Sequence, residues 1–229
     1  MKNLIFKTDN LTRKRFKHAL EIANNIIEDN ESISLDSINH PIYKVIHIFA
    51  RGIQSHFLQN IITTYEHDIP HQRDINLFHP EYNLIKKHNI PTEIFSEMYT
   101  EKEVMIDFSI DIVLSFPWSL SRFYSVMVNI KRGEWEYKPS NHIAHYIEPF
   151  KIGIITNGYH SSTIGILTSQ GTMPAKVIDM SIFYKWIYSD GIYYYNRSTN
   201  KKIDKVTSFE ESVIYEIGRL IYKKQIKNI

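Results

Sequence analysis

The chain has 229 residues, of which 43% are hydrophobic, and a net charge of +2 at neutral pH. This length and composition suffice for one large domain or for a domain with a helical extension. The sequence contains no cysteine, which excludes disulfides, thiolate catalysis and cysteine-ligated metals. The small net charge gives no compositional argument for nucleic acid. Because we find neither a signal peptide nor a window of membrane-spanning length, we expect a cytoplasmic protein without membrane contact.

The first hundred residues have helical periodicity. Apolar residues repeat at intervals of three and four over residues 11 to 29 and over residues 41 to 66, which predicts two amphipathic helices. Their long apolar faces also suit self-association or a protein partner, although an ordinary core would have the same pattern. Residues 67 to 80 are interpreted as a linker. Pro80 and Pro91 are each expected to open a short helix.

Beyond residue 100 the pattern changes to a mixture of strands and helices. Asp190-Gly191 between two aromatic-rich runs predicts a hairpin, and Ser208 with Glu211 has the form of a capping box. The predicted fold class is α+β, with a helical region over residues 1 to 100 and a small mixed-sheet domain that ends in a helix over residues 101 to 229. Strands are expected at 106–114, 142–147, 151–155, 173–179, 182–188 and 192–195, and helices at 120–131, 160–169 and after 208.

The segment Thr-Asn-Gly-Tyr-His-Ser-Ser at residues 156 to 162 is the main functional signal. It lies between an isoleucine-rich strand and an apolar helix. The first N–H groups of a helix have no internal partner, and the helix dipole favours negative charge there, so this turn is a candidate anion site. The candidate ligand-binding residues are Asn157, Gly158, His160, Ser161 and Ser162.

Each of these residues also has a structural explanation. Asn157 and Gly158 tolerate positive φ and suit a tight turn. Ser161 and Ser162 are typical of a helix start, where they cap backbone N–H groups. His160 is the candidate catalytic residue, because imidazole titrates near neutral pH, but it could equally cap the helix or pack under the turn.

Two cations are candidates for additional phosphate contacts. Arg122 lies near the start of the preceding predicted helix, and Lys151 precedes the strand that leads into the turn. An exposed helix residue is the alternative explanation for Arg122. We expect no protein-bound metal, because Pro70 interrupts the helical spacing of His67 and His71.

The order of motifs resembles the signature of the ParB/sulfiredoxin superfamily. In this chain a strand leads into Gly158-x-His160, and a helix and the strand Met-Pro-Ala-Lys-Val at residues 173 to 177 follow. Upstream, a strand ends in Ser-Phe-Pro-Trp at residues 115 to 118 and precedes a helix that contains Arg122. That order resembles the early strand and proline-bearing loop of ParB-like domains.

The resemblance extends over residues 105 to 180. It implies a fold that places a nucleotide phosphate, or another anion, over the turn at residues 157 to 162. The chain departs from the family pattern at two positions, with Ser161 where family members carry arginine and Tyr159 where sulfiredoxins carry cysteine. Sulfinic-acid reductase chemistry is therefore excluded. The chromosome-partitioning ParB proteins have an arginine-rich motif early in the domain, and in this chain the motif is reduced to Arg122.

Three classes of function fit these observations. The first is a nucleotide-binding protein, with or without hydrolysis, whose ligand is a nucleotide with or without Mg²⁺. The second is a nucleic-acid-binding module that uses the same phosphate site. The third is a catalytically inactive interaction protein of the phage or defence kind, since the isoleucine- and asparagine-rich composition suggests a low-GC bacterium or its phage. The tyrosines at 193 to 195 could stack bases, but cross-strand packing explains them as well.

Overall fold

The computed structural model of the protein describes residues 2–64 and 77–227. The helices are α1 (Lys2–Asp29), α2 (Ile42–Thr63), α3 (Tyr82–Lys87), α4 (Ile94–Glu97), α5 (Leu120–Asn129), α6 (Tyr159–Leu167) and α7 (Phe209–Lys227), and a 3₁₀ helix spans Met180–Lys185. The strands are β1 (Tyr99–Asp107), β2 (Ile112–Leu114), β3 (Ile143–Glu148), β4 (Ile152–Asn157), β5 (Thr172–Asp179), β6 (Ile187–Ser189), β7 (Tyr193–Asn196) and β8 (Lys202–Lys205). The predicted combination of N-terminal helices, a mixed sheet and a C-terminal helix is confirmed.

The chain divides into two compact units. Unit 1 comprises residues 1–49, 76–98 and 179–229, and unit 2 comprises residues 50–75 and 99–178. This division differs from the boundary that we expected at residue 100. The difference has two causes. Helix α7 packs against α1, so the C-terminal segment belongs with α1 rather than with the larger sheet. The part of α2 from residue 50 onward belongs with that sheet in unit 2.

Unit 1 contains a small antiparallel sheet in the order β6-β7-β8. The hairpin predicted at Asp190-Gly191 joins the first two of these strands. The predicted capping box is confirmed, because the Glu211 N–H donates to Ser208 Oγ at 3.0 Å and the Ser208 N–H donates to Glu211 Oε2 at 3.3 Å. These bonds satisfy backbone N–H groups that the first turn of a helix leaves without partners.

Unit 2 is built on a five-stranded sheet in the order β1-β5-β3-β4-β2. The pairs β1–β5 and β3–β4 are antiparallel, whereas β2 runs parallel to β4. Helices α5 and α6 pack together, and α2 completes that layer through a cluster of buried residues formed by Leu58, Ile61, Phe123 and Ile164. A second cluster lies on the sheet and comprises Ile106, Phe108, Val113, Trp135, Ala144, Ile155, Met173 and Ala175.

Two predicted strands are wrong in part. The strand expected at 106–114 is interrupted after Asp107, because Asp107 Oδ1 accepts from the Ser109 N–H at 2.8 Å and Asp111 Oδ2 accepts from the Asp107 N–H at 2.7 Å. The segment expected as a strand at 182–188 is mostly the 3₁₀ helix, whose first turn is capped by Asp179 through the Ser181 N–H at 2.8 Å. In both cases an aspartate competes with the sheet for backbone N–H groups.

Other differences are smaller. Strand β8 and residues 99–105 of β1 have no counterpart among the predicted elements. Pro80 and Pro91 each precede a short helix, as expected. Helix α1 begins at Lys2, well before the start predicted at residue 11, whereas the remaining boundaries shift by a few residues. The predicted linker and the histidines at 67 and 71 lie largely or wholly outside the described residues. None of the described helices is both long enough and apolar enough to span a membrane.

Candidate functional site

A cleft of about 290 Å³ opens at the start of α6 in unit 2. Helix α5, the loop before β3 and the first turn of α6 form its walls. The residues that line it are Arg122, Ser125, Val126, Asn141, Gly158, His160 and Ser161. Among these described lining residues none is acidic, so the charged side chain at the cleft is the guanidinium of Arg122.

Gly158 sets the shape of the turn that forms one wall of the cleft. Its φ of +77° lies in the left-handed region that favours glycine, and it precedes the first residue of α6. A Cβ at this position would overlap the ring of His142 and lie 2.9 Å from the carbonyl oxygen of Asn141. Glycine is therefore required here both for its backbone conformation and for the close approach of the loop before β3.

A hydrogen-bonded chain connects that loop to α6. The Lys138 N–H donates to Nδ1 of His142 at 3.0 Å, which fixes this nitrogen as an acceptor. The proton of the neutral ring therefore lies on Nε2, which donates to Ser161 Oγ at 2.8 Å. Ser161 Oγ in turn donates to the carbonyl oxygen of Gly158 at 3.1 Å. The Ser161 hydroxyl proton is thus already used within the protein.

This direction of hydrogen bonding has a chemical consequence. A histidine that activates a serine must accept the hydroxyl proton, whereas His142 donates to Ser161. His142 is buried and stacks on Trp135 with ring centroids 5.1 Å apart. Burial, and secondarily the charge of Lys138, lower the pKa of His142, so the neutral ring is maintained. The arrangement is one of positioning and does not make Ser161 a nucleophile.

His160 is half-buried and is oriented by two neighbours. Its Nε2 accepts from the Ser119 N–H at 3.3 Å, and its ring meets that of Trp118 edge to face at 5.3 Å between centroids. Burial and then the nearby charge of Arg122 lower the pKa of His160. The neutral ring therefore carries its proton on Nδ1, and this N–H is the donor that the ring can offer to a ligand.

Arg122 is held beside the cleft by an aromatic contact. Its guanidinium carbon lies 4.6 Å from the centroid of the Trp118 ring, while its backbone N–H donates to the capping residue Ser119. The side chain is exposed, and it forms no ion pair with any residue in the described ranges. Its positive charge is therefore not neutralised by a carboxylate of the described chain.

The loop that carries Trp118 and Ser119 is fixed by a buried glutamine. Gln54 Nε2 donates to the carbonyl oxygen of Ser115 at 2.7 Å, and its Oε1 accepts from the Ser115 N–H at 2.6 Å. Ser115 Oγ donates to the carbonyl oxygen of Tyr159 at 2.9 Å and accepts from Thr163 Oγ1 at 3.0 Å. These bonds join the loop before α5 to the first turns of α6, so both sides of the cleft are held together.

Four of the predicted site residues line the cleft, namely Arg122, Gly158, His160 and Ser161. The other three do not. Asn157 is the exposed last residue of β4, and Ser162 is fully buried with its hydroxyl unpaired among the described residues. Lys151 lies at the opposite end of β4, about 20 Å from the turn at roughly 3.3 Å per strand residue, and its Nζ is 4.0 Å from a carboxylate oxygen of Glu148.

Several residues that shape the site were not predicted from the sequence. Asn141 and Ser125 line the cleft, His142 supports the turn, and Gln54 fixes the loop. The first two are isolated polar residues in a loop and on an exposed helix face, where the sequence carries no periodic signal. Gln54 lies among the apolar positions that repeat along α2, and this position is the sequence signal that could have indicated a buried polar partner.

These observations define a mixed α/β protein with a cleft at the start of a nine-residue helix, and the described residues that line this cleft include no acid. The chain belongs to the family described as a family of unknown function (DUF6710), which matches residues 2–228. Neither a curated protein nor a solved structure matches the chain.

Proposed function

We propose that the cleft binds a phosphate-bearing ligand and that the ligand is a nucleotide. The observation that carries this proposal is the convergence of Arg122 with Gly158, His160 and Ser161 around one cleft, whose described lining contains no acidic residue. The backbone N–H groups of His160 and Ser161 belong to the first turn of α6, where no helical carbonyl is available to them. Together with the helix dipole and a guanidinium they form an environment that favours an oxyanion.

The geometry favours binding over catalysis. The Ser161 hydroxyl is committed to Gly158, and the Nε2 lone pair of His160 is engaged by the Ser119 N–H. A general base needs a free lone pair close to the proton that it removes. Because no carboxylate lines the described part of the cleft, the residues there do not fit a directly bound Mg²⁺. A magnesium ion would therefore have to arrive on the phosphates of the nucleotide.

The resemblance to ParB/sulfiredoxin-like domains is a second support, because it implies a nucleotide phosphate over the same turn. Those domains carry an arginine after the histidine, and this chain has Ser161 at that position. We propose that Arg122 supplies the positive charge from α5 instead. The proposal includes a cytoplasmic location, where free nucleotides are found. A protein partner that engages the N-terminal helices would be compatible with it.

Thermal unfolding in the presence of ligands tests the proposal. We expect inorganic pyrophosphate and at least one of ATP, CTP and GTP to raise the melting temperature in a concentration-dependent manner, because a ligand that binds the native state stabilises it. Arg122→Gln and His160→Gln should each weaken the affinity by about ten-fold, the equivalent of one charge-assisted hydrogen bond.

Lys102→Gln is the matched control, since it removes an exposed cation from β1, three strands away from β4 in the sheet order. This variant should bind like the wild type. If no phosphate ligand shifts the unfolding transition, or if the three variants lose affinity equally, the proposal is wrong and an interaction protein becomes the better interpretation.

A further inference from the structure

One face of the three-stranded sheet in unit 1 presents tyrosine rings at its surface. Tyr193 and Tyr195 alternate along β7 with the buried Tyr194, so the two share one face. Tyr188 is the cross-strand partner of Tyr195, and their rings stack with centroids 5.2 Å apart and planes 13° apart. We call this surface the tyrosine face.

Cations are interleaved with these rings. Lys202 Nζ lies 3.8 Å from the centroid of the Tyr193 ring, and the guanidinium carbon of Arg197 lies 5.9 Å from that of Tyr188. Lys205 is the cross-strand partner of Tyr193. The side chains of Lys202, Lys205 and Arg197 are exposed, and none of them forms an ion pair within the described chain.

The neighbouring acids do not neutralise this charge. Asp204 is the cross-strand partner of Tyr194 and therefore lies at a register position of the opposite face. Asp190 is ion-paired with Arg13 at 2.8 Å and accepts from the Tyr195 hydroxyl at 2.9 Å. The tyrosine face consequently combines flat aromatic rings with uncompensated positive charge.

We propose that the tyrosine face binds single-stranded nucleic acid. Phosphates provide the negative charge that complements Lys202, Lys205 and Arg197, and bases stack on aromatic rings regardless of their sequence. A base that stacks on Tyr193 displaces the ammonium of Lys202, which then contacts the adjacent phosphate. This exchange is favourable because base–aromatic stacking is stronger than an exposed cation–π contact.

The tyrosines favour this ligand over an acidic protein. A carboxylate-rich surface would use the cations alone and would gain nothing from a row of rings that share one face. The site is also distinct from the cleft of unit 2, because it uses other residues in the other unit. The two proposals can therefore fail independently.

Fluorescence anisotropy with a labelled oligothymidylate of about 12 nucleotides, a length within the usual site size, tests the proposal. The full chain should bind, and the affinity should fall as salt is raised from about 50 to about 200 mM. Lys202→Gln combined with Lys205→Gln should reduce the slope of log affinity against log salt by about 1.4, the value for two lost phosphate contacts on a single strand. Tyr193→Leu should weaken binding by about ten-fold with little change in this slope.

Two sets of controls match these variants. Lys86→Gln with Lys87→Gln removes the same charge from α3, whose C-cap carbonyl at His88 accepts from Asn196, a residue on the opposite face of the sheet. Tyr82→Leu removes an exposed tyrosine elsewhere in unit 1. Both should bind like the wild type. The proposal is overturned if the wild type does not bind, if the α3 pair loses as much affinity as the β8 pair, or if a duplex or poly-glutamate competes as well as the single strand.

Discussion

The cleft of unit 2 and the acidic core of unit 1, which is formed by the buried Glu211 and Glu216, use polar side chains in opposite ways. The cleft exposes Arg122 and leaves first-turn N–H groups of α6 without helical partners. In unit 1, by contrast, Glu211 and Glu216 on α7 are fully buried. Burial of a carboxylate is tolerated when every lone pair meets a donor, whereas a binding site must keep donors available for its ligand.

Both carboxylate oxygens of the buried Glu211 accept hydrogen bonds from donors in the protein. Glu211 Oε1 accepts from the Phe78 N–H at 2.6 Å and from the Tyr194 hydroxyl at 2.8 Å. Its Oε2 accepts from the Thr207 N–H at 2.8 Å and from the Ser208 N–H. Burial raises the pKa of Glu211, and these hydrogen bonds oppose that shift. One carboxylate thus joins three segments that are distant in sequence.

Glu216 is satisfied in a similar way. Its Oε1 accepts from the Ser189 N–H at 2.8 Å, and its Oε2 forms an ion pair with Arg219. A loss of either carboxylate would leave buried donors unpaired, which is costly in a medium of low polarity. The comparison therefore predicts that substitutions in the acidic core change stability, while those at the cleft change ligand affinity.

Glu211→Gln should have the largest effect. Glutamine keeps one acceptor oxygen but places an NH₂ group against two donors, so the free energy of unfolding should fall by about 4 kcal/mol. Urea denaturation measures this change. Glu210→Gln, at the preceding and partly exposed position, should cost less than about 0.5 kcal/mol. Equal losses in the two variants would show that the buried network contributes nothing specific.

Gln54→Leu should come next, at about 3 kcal/mol, because the buried N–H and carbonyl of Ser115 would both lose their partner. Since the same pair fixes the loop of Ser119, pyrophosphate should also stabilise this variant less than the wild type. Gln59→Leu on the exposed side of α2 is the control. If Gln54→Leu loses stability but binds pyrophosphate normally, the position of the loop does not affect binding in the cleft.

Gly158→Ala should cost about 2 kcal/mol through its positive φ and the overlap with His142. It should also abolish stabilisation by phosphate ligands, because the turn and the loop before β3 move apart. Gly133→Ala separates the two causes, since Gly133 has a φ of +91° but its nearest neighbour lies 4.0 Å from an added Cβ. If both variants lose the same stability, the overlap is unimportant.

The smallest effect concerns pH. Burial, followed by the charge of Lys138, lowers the pKa of His142 in the folded state, so the unfolded chain takes up the proton first as the pH falls. Stability should therefore decrease as the pH drops below about 6.5, the ordinary value for histidine. His142→Gln keeps an acceptor for Lys138 and a donor for Ser161, and it should reduce this dependence in thermal unfolding. His56→Gln on the exposed surface of α2 should reduce it less, and the reverse order would contradict the assignment.

The sequence predicted the features that depend on neighbours along the chain. The Asp190-Gly191 hairpin, the Ser208–Glu211 capping box and the turn before α6 all follow from local backbone chemistry. The prediction from the sequence is wrong where a side chain redirects the backbone, as Asp107 does at the end of β1. Alternation and β-branched residues are shared by strands and by the turns that interrupt them, so periodicity alone did not detect this break.

The sequence by itself determined that the segment at residues 156 to 162 forms a turn and a helix start, because glycine and the apolar runs on either side leave few other conformations. Only the tertiary structure decided which residues join it. Packing of α5 against α6 brings Arg122 to the turn and leaves Lys151 at the far end of β4. Burial also decided the role of Glu211, which local spacing presents as a simple cap. These outcomes depend on contacts between residues far apart in the chain, and such contacts leave no period in the sequence.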